Sequence, residues 1–315
     1  MLGRTGNDIF WMFRYLERAE NTARLLEAGF RMALTRGVEE ATEEWKSVIT
    51  TLGHRARYDA LHGGEYSLYQ VCNFVLREKD NPDNVLATIE AARTNARLCR
   101  SSITAEVWEA VNEAYMTLTE LLARPVREGN LGAVLSAIRR EATLVRGATY
   151  GSMLRNEIYS FARSASFIER ADNTARILDV KYYLLLPSLA YVGSSLDTGQ
   201  WDTVLRSLSA ERAYRWLNAG QMDPRGIAEF LILDERFPRS LAFCYAALRN
   251  NLAELARFHG QEARSNELMR EADQRLSALT IQAIFDRGLH QFVLEFIASN
   301  RAIADAIALD YRFTG

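Results

Sequence analysis

Residues Tyr15–Leu26 read YLERAENTARLL, and residues Phe167–Leu178 read FIERADNTARIL. From Leu16 and from Ile168 onward, eight of eleven positions are identical, and the other three are Leu/Ile, Glu/Asp and Leu/Ile swaps. A repeat of this kind constrains the fold more than any bulk property, because the same local text must find a home twice. The correspondence continues, with the displacement changing once from 152 to 156 residues. Trp45, Val48 and Leu52 then meet Trp201, Val204 and Leu208. Phe74 meets Phe230, Pro82 meets Pro238, Arg93 meets Arg249 and Asn95 meets Asn251. Four extra residues between Arg176 and Trp201 explain the change, and Pro187 and Gly193 mark a longer connection there. The expected organisation is a single domain over residues 1–315, made of two repeats of approximately 1–150 and 151–315.

Both halves are written with helical spacing. Ile9, Met12, Leu16, Ala19, Ala23 and Leu26 recur at intervals of three and four. AIRREATLVRGATYGSML and GLHQFVLEFIASNRAIADAIALDY do the same, and no convincing alternating run predicts a strand. Only five prolines and 18 glycines interrupt the chain, which favours long helices over many tight turns. Pro82 and Pro238 are predicted in the first turns of equivalent helices, where a missing N–H is harmless, with Asp80 or Asn81 capping the first. The fold class is all-α: an internally duplicated bundle of about ten to twelve helices by typical helix length, in two pseudo-symmetric halves sharing a core. Each half is expected to bring one motif helix to a shared centre.

At 48% hydrophobic and 25% charged, the chain has enough apolar residues for a sizeable core. A net charge of -2 gives no bulk attraction for nucleic acid or an anionic membrane. Three unpaired cysteines, Cys72, Cys99 and Cys244, argue against a disulfide framework and for a reducing compartment. No signal peptide is recognised at the start, and the most apolar stretch, from Tyr182, is too short to span a bilayer. A bacterial-type cytoplasmic location is expected. Only three of 38 basic residues are lysine, which fits a GC-rich coding preference.

Wound at about 100° per residue, Glu17, Glu20, Asn21 and Arg24 share one arc beside the apolar face, with Arg18 on the far side near Arg14. The second copy keeps Glu169, Asp172, Asn173, Arg176 and Arg170. A merely solvated face tolerates almost any polar residue, so a retained order of acid, acid, amide and arginine indicates a constrained environment. One reading is a buried network: Glu20–Arg24 and Asp172–Arg176 have the favourable i,i+4 orientation, and buried charges need partners. A second is a recognition site, arginine taking a carboxylate and glutamate an amine, or a docking face for a partner enzyme. A third is a pair of metals held by inward carboxylates. It is disfavoured because neither copy contains His and the arginines compete for the carboxylates, so no metal or other cofactor is expected. LDERFPRS at Leu233–Ser240 reads as a capped, salt-bridged turn, and Arg93, Arg97 and Arg100 as a solvated face. No Ser–His–Asp order, P-loop or dinucleotide fingerprint occurs.

FWMFRYLERAENTARLL, FIERADNTARIL, NPDNVLATIEAARTNAR, VWEAVNEAY and FPRSLAFC together resemble the Alpha-E family, a bacterial helical domain named for a Glu–Arg pair. The pair corresponds here to Glu17–Arg18 and Glu169–Arg170. The resemblance implies the company of a circularly permuted ATP-grasp protein, often with a transglutaminase-like peptidase, and hence ATP-dependent amide-bond formation. The function it implies is that of an accessory protein binding the ligase, a peptide-like product, or both. The alternative is a free-standing enzyme acting on a peptide or amino acid through the Glu/Arg stripe. The resemblance carries over no catalytic residue.

Overall fold

The computed structural model describes residues 3–34, 38–184 and 195–313. Among these residues the chain is entirely helix, turn and loop, with no strand. Residues 185–194, which include Pro187, Gly193 and most of the apolar stretch from Tyr182, lie outside the described residues. Fifteen α-helices are described, more than the expected ten to twelve. The excess is in pieces such as α3 (Arg55–His62), α10 (Glu211–Leu217) and α14 (Ile281–Arg287), barely two turns long and too short to show a period in sequence.

The chain divides into two compact units, Met1–Ser166 with Tyr311–Gly315, and Phe167–Asp310. The first is organised around α1 (Gly3–Ala33), which packs on α2 (Val38–Thr51), α5 (Val85–Leu98) and α7 (Glu128–Ser152). Its apolar stripe, Ile9, Met12, Leu16, Ala19, Ala23 and Leu26, is buried as the spacing requires. Gly29 lets α2 approach closely, since a Cβ there would sit 2.5 Å from Val48 Cγ2. α4 (Leu68–Leu76) is pinned to the loop after α6 (Ala105–Leu122): Asn73 Nδ2 donates to Val126 O and Val126 N–H donates to Asn73 Oδ1, both at 2.9 Å. At the end of the chain Phe313 returns to this unit, its ring 5.4 Å from Phe10 and 5.7 Å from Phe161.

The second unit comprises most of α8 (Glu157–Leu184), then α9 (Ser195–Ser207), α10, α11 (Pro224–Leu233), α12 (Leu241–His259), α13 (Arg264–Ser277), α14 and α15 (Leu289–Asp310). α12 packs on α11 and α13, and α13 on α15. Gly260, at φ 70°, closes α12 in the left-handed conformation that suits glycine, its N–H bonded to Ala256 O and Arg257 O. The His259-Gly-Gln-Glu sequence is therefore a helix stop.

Local details recur between the units. Trp45 and Trp201 are both buried. Tyr58 Oη donates to Glu65 O at 2.6 Å and stands edge-on to Phe74; Tyr214 Oη donates to Asp223 O at 3.2 Å and stands edge-on to Phe230. The two prolines correct the sequence expectation. α5 is capped by Asn84, whose side chain accepts from Ala87 N–H at 2.9 Å, and α12 by Ser240, which accepts from Phe243 N–H at 3.0 Å. Pro82 and Pro238 lie two residues before these caps. Asn84 N–H bonds to Asn81 O at 3.1 Å, and Ser240 N–H to Phe237 O at 2.9 Å. Each proline therefore takes the second position of a tight turn, where its fixed φ is equally well suited. Asp80 and Asn81 are not the caps, although Asn81 supports the turn by donating to Phe74 O at 3.0 Å.

Candidate functional site

On α1 the motif carboxylates lie inside the unit. Glu20 is fully buried and Glu17 nearly so. Arg24, one turn on, donates to Glu20 Oε1 from Nε at 3.0 Å and from Nη2 at 2.7 Å. The other oxygen, Oε2, accepts from Arg146 Nη2, and the same nitrogen lies 3.8 Å from Glu17 Oε2. Arg146 belongs to α7, outside the motif, and no sequence reading singled it out. A second contact repeats the pattern two turns along: Arg139 of α7 pairs with Glu27, which also accepts from Arg31 at 3.0 Å. Glu20 and Glu27 are seven residues apart on α1, as are Arg139 and Arg146 on α7. Seven residues are close to two helical turns, so both pairs fall on one seam between antiparallel helices. That equal spacing is the signal by which Arg146 is legible in the sequence.

Asn21 is buried and Arg18 half-buried, its guanidinium 5.9 Å from the centre of the Tyr15 ring. Phe13, Leu16, Glu17, Val145, Arg146 and Thr149 line a cavity of about 20 Å³, with Arg163 and Ser166 of α8 among its other walls. That is room for one water molecule and too little for an amino acid. Breaking a buried, doubly paired carboxylate of this kind is expensive, because each arginine left behind loses its compensating charge.

On α8 the same residues meet a different environment. Asp172 pairs with Arg176 Nε at 2.6 Å, but the two side chains are 23% and 41% exposed. Glu169 and Arg170 are the buried members. Arg170 lies with its guanidinium 5.5 Å from the Phe167 ring centre and donates to Pro238 O at 3.4 Å. Thr174 Oγ1 donates to Arg239 O at 2.8 Å, so α8 is tied to the turn that starts α12. Asn173 is half-buried, and its Nδ2 has no hydrogen-bond partner among the described residues. From α15, Asn300 Nδ2 donates to Ile168 O at 3.0 Å, and His290 Nδ1 lies 2.5 Å from Asp179 Oδ1.

The weaker sequence candidates also find places. In the Leu233–Ser240 turn, Arg236 pairs with Asp234 at 2.7 Å and Ser240 Oγ donates to Asp234 O at 2.5 Å. The face of Arg93, Arg97 and Arg100 is partly an α5–α6 contact rather than wholly solvated. Arg93 donates to Asn112 Oδ1 at 2.8 Å and lies over Tyr115, and Arg100 lies over Trp108. Among the described residues no group of three or more His, Cys, Asp or Glu converges as metal ligands do, and no helix is long and apolar enough to cross a membrane.

These features define an all-α protein in which the acids of the first motif copy are held within the helix packing by arginines. The chain belongs to the Alpha-E family, described as a predicted alpha-helical domain with a conserved ER motif, whose model matches residues 1–311. It is similar to the uncharacterized proteins Mb2597 of Mycobacterium bovis and Rv2567 of Mycobacterium tuberculosis. Each is 22% identical to it over 328 aligned residues, covering 96% of this chain and 36% of the relative. The chain thus spans about a third of the length of these curated relatives. No solved structure matches it significantly.

Proposed function

We propose that this chain is a duplicated helical scaffold acting as an accessory protein of an ATP-grasp-dependent amide-bond-forming system, where it binds the ligase, a peptide-like product, or both. The observation that carries this reading is how the first motif copy is spent. Its acids are engaged by Arg24 and Arg146, and the adjoining cavity has room for only one water, so the stripe of α1 serves architecture better than turnover. The matched segment is also only part of longer chains in the mycobacterial relatives, as befits a module that works joined to other polypeptide. The circularly permuted ATP-grasp partner, and a transglutaminase-like peptidase beside it, come from the family resemblance.

The duplication has its own support. The order of helices from α1 to α6 is repeated by α8 to α13, with matching tyrosine, tryptophan, turn and cap positions. α7, displaced by 156 residues, spans α14 and α15 together.

Co-purification of the chain with the ATP-grasp protein encoded beside it, followed by ATP-turnover assays with and without the chain, tests the functional reading. A stable complex or a changed turnover is expected. Absence of both overturns it, and peptide turnover by the isolated chain would put the enzyme reading in its place.

A further inference from the structure

A groove of about 440 Å³ lies in the second unit between α12, α13 and the α14–α15 hairpin, within the size range of small-ligand pockets. Its floor is aromatic: Tyr245 stacks on Phe296 with centroids 4.6 Å apart, and Phe292 lies 6.3 Å from Phe296. Leu276 and Leu279 extend the apolar wall. Two arginines stand among the lining residues, but they are not equivalent. Arg287 is tied to Glu295 at 2.6 Å. Arg275 is exposed and has no ion-pair or hydrogen-bond partner among the described residues. The lining therefore holds one uncompensated positive charge over an aromatic floor.

The floor also holds an unmet polar group. Tyr245 is 1% exposed, and its hydroxyl has no hydrogen bond of standard geometry among the described residues, although the Ser299 side chain is close by. Burial pushes the phenol far above its usual range, so it remains an O–H donor. A buried hydroxyl without a partner is costly in a plain core. At displacement 156 Tyr245 falls on Ile89, a buried apolar residue of α5. The second unit carries a polar tip where the first has hydrocarbon.

We infer that this groove is a binding site for a monocarboxylate with a flat apolar body, the carboxylate paired with Arg275 and the body resting on the edges of Phe292 and Phe296, with Tyr245 closing the floor behind them. A guanidinium fork suits a carboxylate better than a point charge does. Two sources share this chemistry: a free aryl-alkanoic acid, and the C-terminal residue of a peptide ending in phenylalanine. The inference stands on the second unit's own geometry and is tested without any partner protein, so its failure leaves the accessory reading untouched.

The experiment is calorimetric titration of the full chain with 3-phenylpropionate, N-acetyl-Gly-Phe and N-acetyl-Gly-Phe-amide, with amide chemical shifts to locate binding. Saturable binding of at least one acid is expected, with shifts at Phe292 and Ser299. Arg275→Gln should weaken it by about tenfold, the loss of one charge-assisted pair, at unchanged thermal stability. Binding of phenylpropionate alone assigns the site to free acids; binding of the peptide acid and not its amide assigns it to peptide C-termini. No saturation by either acid at millimolar concentration overturns the inference. So does equal binding of acid and amide, or an Arg275→Gln variant that binds as wild type.

Discussion

α1 and α8 carry nearly the same twelve residues, yet the two copies of their ion pair live in different dielectric surroundings. On α1 the acid has no exposure and is gripped from two sides, once by Arg24 of its own helix and once by Arg146 of α7. On α8 the shorter acid, Asp172, keeps only the local partner among the described residues, and both members touch solvent. At displacement 156 Arg146 falls on Ala302, which carries no charge. The lesson is that identical local text does not fix energetic weight. The third partner, supplied by a distant helix, decides whether an i,i+4 pair is a surface ornament worth a few tenths of a kcal/mol or part of a buried network.

The largest expected effect tests that contrast directly. Glu20→Ala should cost about 3 kcal/mol, because it strands Arg24 and Arg146 in a site built to neutralise them. Asp172→Ala should cost under about 1 kcal/mol, since both partners are partly hydrated and screened. Urea denaturation of the two variants measures both. Losses equal within about 0.5 kcal/mol would abolish the distinction between the copies.

A smaller effect tests the features the two units share. Asn84→Ala should cost about 2 kcal/mol and Ser240→Ala about 1 kcal/mol, both within the range for lost N-caps. Asn84 is the more expensive because its Nδ2 makes two further donations, to Asn81 O at 2.6 Å and Glu78 O at 2.9 Å, holding the proline turn, where Ser240 Oγ makes one, to Asp234 O. Asn84→Ser keeps the cap acceptor and loses those two donors, so it should recover only part of the loss. Full recovery would show that the turn contributes nothing.

What the sequence made legible follows from range. The helical class and the apolar face of α1 are local properties with a period, and both were readable. So were Glu20–Arg24 and Asp172–Arg176, because partners four residues apart on one helix meet whatever the tertiary fold. Arg146 was missed because its partners are more than a hundred residues away, and only the matching seven-residue spacing on α1 and α7 betrays it. The prolines were misplaced for another reason: proline's fixed φ fits both a helix's first turn and the second position of a tight turn. Only the hydrogen bonds from Asn84 to Asn81 and from Ser240 to Phe237 decide between them. The groove at Tyr245 lay beyond reach because residues of four separate helices and a linker line it, none of them in a motif.

The smallest effect separates the units by the sign of a pH dependence. In the first, burial holds the Asp8 carboxyl above its usual range, against the opposing pull of Arg4 and Asn7. In the second, hydrogen bonding from the Arg236 guanidinium leads in holding Asp234 below its usual range, with burial opposing it and the Arg236 backbone N–H assisting. Folded Asp8 binds its proton more tightly than the unfolded chain does, so its contribution turns unfavourable as pH rises from about 4 toward the raised folded value. Folded Asp234 binds its proton less tightly, so its contribution is fully present above about pH 4 and is lost as pH falls through the lowered folded value. Asp8→Asn should therefore gain on the wild type with rising pH. Asp234→Asn should fall behind it at neutral pH and draw level in acid. Thermal midpoints of the three proteins across the acid-to-neutral range read both slopes. Slopes of the same sign would show that one of the two carboxyls is misread: either Asp8 is solvated or paired, or the hydrogen bonds from Arg236 do not outweigh the burial of Asp234.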